Sequence, residues 1–228
     1  MQTKITNFFD LKSKKQEEKQ AISFPINVTP TFDNTQVIRD DDLYITITPN
    51  IFSERECKQM YDALFKNIKW THPHTRKDGS LRHQRNKAIF GSIATYRTVY
   101  QGKENLTQVR PWDEMDGLEQ IGKFLSEVTQ EKYNVCAIQY YNNGNVGIKP
   151  HRDKEMVQGT VITSLSLGCT RTMRFSRDGY EDHNLRLDAG TLCCIYPPTN
   201  DRWLHSIPLD DSKEGRMSLL FRRFEGGF

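Results

Sequence analysis

The sequence lacks any run approaching the roughly 20 apolar residues that a membrane-spanning helix requires, so no membrane partner is expected. Its opening residues, MQTKITNFFD, offer neither a long apolar stretch nor a small-residue cleavage site, which argues against a secretory leader. Cysteine is scarce and unpatterned. Five residues, an odd number without framework spacing, predict reduced thiols in an intracellular, reducing compartment. Charge of one sign is barely in excess: 32 Lys and Arg stand against 29 Asp and Glu, and a net +3 is too small to identify a nucleic-acid partner. Wholesale disorder is excluded by what is present. A hydrophobic share of 36%, with 12 Phe, 9 Tyr and 3 Trp among 228 residues, suffices for a sizeable core.

Residues 1–40 differ from the rest. The polar run Leu11–Gln20 has no long apolar period, and Pro25, Asn27, Pro30, Asp33 and Asn34 punctuate the stretch between it and residue 40. This predicts a flexible tail with one apolar island, Ile5 with Phe8 and Phe9, ahead of a domain over 41–228. There Leu43, Ile45 and Ile47 alternate with Tyr44, Thr46 and Thr48, as in a half-buried strand. Ser53 and Glu56 have capping-box spacing before an apolar helical period, Cys57, Met60, Tyr61, Leu64, Phe65 and Ile68, so a helix is predicted near 54–68. Leu118, Ile121, Phe124, Leu125 and Val128 mark a second helix. Beyond residue 133, short β-favouring runs alternate with Gly, Pro, Asn and Asp. That rhythm predicts an α+β domain with an antiparallel sandwich or jelly roll and helices packed on one side.

One constellation carries chemistry. His151-Arg-Asp153 follows a turn-rich segment, and in a strand residues two apart face the same way, so both side chains can reach one point. His205 lies further on, beside Trp203. Two imidazoles and one carboxylate make the facial triad of non-haem Fe(II) sites, which leaves positions open for co-substrate and oxygen. An H-x-D pair alone is weak evidence and more often belongs to an ordinary surface. Arg216 and Arg222 strengthen the case, being an even number of residues apart and so on one face of the last strand. Guanidinium groups grip carboxylates through parallel hydrogen bonds, as a dicarboxylate such as 2-oxoglutarate would require. The competing interpretation is an edge strand with solvated arginines.

Taken in order, His151-Arg-Asp153, Ser164-Leu-Ser-Leu-Gly168, Pro198-Thr-Asn-Asp-Arg-Trp-Leu-His205-Ser-Ile-Pro208 and Arg216-x-Ser-x-x-Phe-Arg222 resemble the AlkB family. These are iron- and 2-oxoglutarate-dependent dioxygenases that remove alkyl groups from nucleobases. The resemblance covers roughly residues 85–226 and is greatest to members acting on duplex DNA. It implies a double-stranded β-helix (jelly-roll) core at about 133–226, N-terminal helices on the sheet, and a nucleotide-recognition lid at about 66–110. It implies His151, Asp153 and His205 as Fe(II) ligands. Arg216, Arg222, Tyr141, Gln139 and Ser218 are the implied contacts to 2-oxoglutarate, with O2 as co-substrate. Gln139 departs from the Asn usual in the family, adding a methylene.

The implied activity is oxidative repair of 1-methyladenine and 3-methylcytosine in DNA, with release of formaldehyde and succinate. Such a methyl sits on the Watson–Crick edge, so the base must be flipped out of a duplex. A cationic lesion favours aromatic faces and carboxylates. Tyr100 is the expected stacking partner, Glu155 the expected carboxylate on the strand face of Asp153, and Arg85 and Phe90 further substrate contacts. Residues 66–110 hold ten Lys and Arg against Asp78 and Glu104, with His and aromatic residues interleaved. Such a stretch suits phosphate contacts, though a charge run is also what a solvated face looks like.

In the tail, Gln2-x-x-Ile5-x-x-Phe8-Phe9 resembles the PIP box that docks on the sliding clamp of replication. The expectation is a monomeric enzyme working in a nucleus or replication compartment, its tail bound to the clamp. An RNA demethylase of the same family, or a catalytically silent clamp- or nucleic-acid-binding module, are the alternatives.

Overall fold

In a computed structural model the described residues are 32, 34–70, 85–100, 103–115 and 117–225. Gln2, Ile5, Phe8 and Phe9, and residues 71–84 and 101–102 of the expected lid, lie outside them. Along the chain run β1 (Gln36–Asp40), β2 (Leu43–Thr48), α1 (Glu54–Asn67), β3 (Asn86–Gly91), β4 (Thr95–Tyr100), β5 (Lys103–Gln108), β6 (Arg110–Pro111) and α2 (Leu118–Thr129). Next come β7 (Val135–Tyr141), β8 (Ile148–His151), β9 (Ile162–Gly168), β10 (Arg171–Ser176), β11 (His183–Leu187), β12 (Leu192–Ile195), α3 (Thr199–Arg202), β13 (Leu204–Ile207) and β14 (Arg216–Arg222).

An eight-stranded sheet, ordered β1-β2-β12-β9-β14-β7-β3-β6, faces a four-stranded one, β11-β10-β13-β8, and β4 and β5 form a separate hairpin. All pairings are antiparallel except β3 with β6. This is the expected jelly roll, and β14 is central in its sheet rather than at an edge. The sheet also begins earlier than expected: β1 pairs with β2 over Gln36–Asp40, inside the stretch read as tail.

Strand alternation divides the core in two. On β7, Cys136, Ile138 and Tyr140 meet Met217, Leu219 and Phe221 of β14 and pack under α1 and α2. The opposite parity, Val135, Ala137 and Tyr141 with Leu220, faces the small sheet through Met173, Phe175 and Ile207. Helix α1 begins as predicted: Ser53 Oγ accepts from Glu56 N–H, and the Glu56 carboxylate accepts from Ser53 N–H. Its Cys57, Met60 and Leu64 are buried, each aliphatic side chain contributing about 1.5–3 kcal/mol. Helix α2 buries Leu118, Ile121 and Leu125, while Val128 is exposed. All five cysteines are free, four of them buried. Among the described residues no helix is long and apolar enough to cross a membrane.

Candidate active site

The site lies between the sheets, on the inner faces of β14 and β7. Antiparallel register sets Arg216 opposite Tyr141, Ser218 opposite Gln139 and Arg222 opposite Val135. The even spacing of 216, 218, 220 and 222 turns these four side chains into one cavity, closed by His151 and His205 from the small sheet. Ile148, Met173, Ile207 and Leu220 form its apolar walls. All five residues expected to touch a co-substrate therefore line one pocket with two of the three expected metal ligands.

His151 and His205 are directly opposite in the β8–β13 pair, their ring centroids 4.3 Å apart. Ligand atoms of His151, Asp153 and His205 all lie within 4.8 Å of one another. The strand argument for Asp153 fails in detail, because β8 ends at His151 and Asp153 lies in the loop beyond it. His151 Nδ1 is 2.9 Å from the Lys149 carbonyl. A carbonyl only accepts, so Nδ1 carries the proton and Nε2 keeps its lone pair for a metal. Burial pushes His205 down to about 4, against the pull of Asp153, so its imidazole is neutral near pH 7.

Burial opposes ionisation of Asp153, but the Arg222 guanidinium and the two imidazoles outweigh it and hold the carboxyl below its ordinary value. Arg222 Nη2 is 2.7 Å from Asp153 Oδ2, an ion pair without a well-directed hydrogen bond. The donor set thus offers a carboxylate and two imidazole nitrogens, which fits a divalent iron.

A dicarboxylate fits the other end. Arg216 is fully buried and donates from Nη2 to Ser166 Oγ (2.9 Å), while its Nε and Nη1 have no protein acceptor. Unpaired buried donors cost about 1–3 kcal/mol each, more for charged groups, so this guanidinium is matched to an acceptor-rich anion. Tyr141 Oη donates to Gln139 Oε1 (3.0 Å), so the extra methylene of Gln139 is accommodated inside the pocket. Ser218 Oγ shares a 2.9 Å hydrogen bond with Ser164.

The base-pocket expectations fare unevenly. Phe90 is corrected: it is wholly buried on the helix side of β3, with Arg110 over its ring at 4.5 Å, and presents no face to a base. Its parity partners are Asn86 and Ala88, whereas Lys87 and Ile89 face the cavity side. Arg85 stands 6.0 Å from the Tyr141 ring, at the co-substrate pocket. Glu155 is exposed in the loop after Asp153, not on a strand face. Tyr100 ends β4, and its side chain is outside the described residues.

Sequence reading missed several neighbours. Lys87 pairs in register with Gln139 and lies within electrostatic reach of Arg85, Arg222, Glu155 and Asp153; burial, then these cations, lower its pKa. Tyr96 packs on Phe224 at 4.2 Å and feels Arg222, Glu155 and Asp153, so it stands at the mouth of the site. Asn200 and Arg171 also escaped notice. The alternation in Lys87-Ala88-Ile89-Phe90 was the available signal for the first.

A family model described as the 2OG-Fe(II) oxygenase superfamily matches residues 44–223. Among curated proteins the chain is similar to "DNA oxidative demethylase ALKBH2" from Mus musculus, 32% identical over 126 residues, covering 50% of this chain and 52% of that protein. The namesake from Bos taurus is 32% identical, covering 76% and 66% respectively. That from Homo sapiens is 31% identical, covering 76% and 70%. The chain thus spans about half to two thirds of the length of the first two. The solved structure of OsALKBH1 shares the fold, with TM-score 0.59 and 14% identity over 83% of this chain and 99% of that one.

Proposed function

The chain belongs to the 2OG-Fe(II) oxygenase superfamily, and on that premise we propose that it is an oxidative demethylase of N-alkylated bases in DNA. The carrying observation is the convergence of His151, Asp153 and His205 with Arg216 and Arg222 on one cavity. Relatives named DNA oxidative demethylase support DNA as the substrate class.

Bound Fe(II) with 2-oxoglutarate and O2 would supply hydroxylation of an N-methyl group, whose product breaks down to formaldehyde and the repaired base while the co-substrate leaves as succinate and carbon dioxide. His151, Asp153 and His205 would hold the iron. Arg222 keeps Asp153 ionised, and the Lys149 carbonyl fixes the His151 tautomer. Arg216 would pair with the distal carboxylate of 2-oxoglutarate, beside Tyr141 and Ser218, while Gln139 orients the Tyr141 hydroxyl. Ile148, Met173, Ile207 and Leu220 exclude water, which strengthens each charge interaction within the cavity.

The target base enters flipped from its stack, in the manner of enzymes acting on a base edge. Glu155, exposed beside the triad, favours a cationic 1-methyladenine or 3-methylcytosine over its neutral parent, and Tyr96 and Tyr100 are the aromatic candidates for stacking. The basic stretch at 66–110 tracks phosphates as a lid. The tail motif Gln2, Ile5, Phe8 and Phe9 tethers a monomeric enzyme to the replication clamp in a nucleus or replication compartment.

The test compares formaldehyde release from 1-methyladenine in single-stranded DNA, duplex DNA and RNA, each with Fe(II) and 2-oxoglutarate. Turnover on DNA supports the proposal. Turnover on RNA alone favours the RNA alternative, and none on any methylated nucleic acid favours a silent binding module.

A further inference from the structure

We propose that Asn200 is a positioning residue for the ligand Asp153, holding its backbone as a neighbouring strand holds that of His151. His151 ends β8 and is fixed by pairing with His205. Asp153 lies two residues beyond, past the end of the strand, yet its position relative to His205 must be kept within tenths of an ångström for shared metal binding.

One carboxamide supplies the missing pairing. Asn200 Oδ1 accepts from the Asp153 N–H at 2.9 Å, and Asn200 Nδ2 donates to the Asp153 carbonyl at 2.8 Å. Donor and acceptor of one residue are thus satisfied together, as across a hydrogen-bonded pair in an antiparallel ladder. Asp153 is buried, so leaving these groups unpaired would be costly. Beside them, Arg152 Nη2 donates to the Arg202 carbonyl at 3.0 Å.

The element bearing Asn200 makes the contact consequential. Helix α3 is a single turn, Thr199–Arg202, that runs directly into Trp203, Leu204 and His205. Thr199 anchors it to β2, its hydroxyl accepting from Tyr44 N–H at 2.6 Å and donating to the Tyr44 carbonyl at 3.2 Å. Trp203, at its end, is fully buried, with its indole N–H donating to the Asp41 carbonyl. The same turn therefore fixes His205 through the chain and Asp153 through Asn200. Asn200 touches no expected metal position and acts through Asp153. The inference rests on the triad as a metal site, not on the nucleic-acid substrate, so it stands or falls separately from the activity.

The experiment uses the full-length metal-free protein, with Mn(II) as the probe, titrated by electron paramagnetic resonance. Hydrogen exchange of the Asp153 amide is read alongside. Wild type should show a protected Asp153 amide without metal. Asn200→Ala should speed that exchange about tenfold or more and weaken Mn(II) binding by about 10- to 100-fold, the range for lost outer partners of metal ligands. Thr199→Val, which removes one anchor of the turn but keeps the Asn200 carboxamide and the buried Trp203, should lower thermal stability and weaken Mn(II) binding clearly less than Asn200→Ala. The proposal is overturned if Asn200→Ala binds Mn(II) like wild type, or loses no more affinity than Thr199→Val. Should Asn200→Ala not fold, Asn200→Ser serves in its place, and an unprotected Asp153 amide in wild type overturns the proposal by itself.

Discussion

Arg222 Nη2 stands 2.7 Å from Asp153 Oδ2, so the carboxylate expected to bind iron is also paired with a protein cation. Removing that cation leaves a buried carboxylate without its nearest positive charge. Arg222→Met should raise the Asp153 pKa and shift acid loss of Mn(II) affinity to higher pH, because protons then compete better for the ligand. Titrations from pH 8 to 5 check this, and an unchanged pH midpoint would count against the pairing.

His205 gives the metal-free protein an acid weakness. Its folded pKa is about 4 against an ordinary 6.5, with burial the main cause. The unfolded state therefore binds the proton more readily, and stability rises with pH across that window. The contribution is full above about pH 6.5 and is lost as pH falls toward 4, by roughly 3 kcal/mol if this group dominates. Urea unfolding of metal-free protein at pH 7 and pH 4.5 measures the difference. Asp153, held below its ordinary carboxylate value, adds a loss at still lower pH.

Arg216 is fully buried, with two donors lacking a protein acceptor. Arg216→Met should weaken 2-oxoglutarate binding by about 3 kcal/mol, roughly a hundredfold. Mn(II) affinity measured without co-substrate should hardly change, since the arginine paired with Asp153 is Arg222, six residues further along β14. Calorimetry with each ligand separates the two effects.

How far this site was legible in the sequence depends on what kind of pattern encodes each part. Runs such as Val135–Tyr141 and Arg216–Arg222 are buried on both faces, and their apolar content marks them as strands. Strands β8, β11 and β13, reading IKPH, HNLRL and LHSI, carry no such signal and exist through their partners. Of the hairpin, β4 (TYRTVY) is β-favouring, whereas its partner β5 (KENLTQ) is polar and carries no strand signal of its own. Asp153 was found by its spacing from His151, although its place is fixed by Asn200, 47 residues away, and no local pattern encodes that. Phe90 was misplaced because a charged neighbourhood masked the strand parity that puts it under the helices.

Arg171 is fully buried, 2.6 Å from Asp210, with its other nitrogens donating to the carbonyls of Asn143, Val146 and Pro208. Arg171→Met should destabilise the metal-free protein by roughly 3 kcal/mol, the low end for a broken buried pair because Asp210 is 36% exposed. Asp210→Asn should cost less, since the carbonyl acceptors remain. Guanidinium denaturation compares the two.

The tail makes a separable prediction. Phe8→Ala with Phe9→Ala should abolish binding to a replication clamp in calorimetry and leave turnover on methylated oligonucleotides unchanged. Unaltered clamp affinity would remove the motif from the account.

The most direct test of the central claim is mass-spectrometric assay of a 1-methyladenine oligodeoxynucleotide incubated with Fe(II), 2-oxoglutarate and either wild type or Asp153→Ala. The account predicts loss of one methyl group with stoichiometric formaldehyde and succinate for wild type, and none for Asp153→Ala. Demethylation that persists in Asp153→Ala, or an unmodified oligonucleotide with wild type, would contradict it.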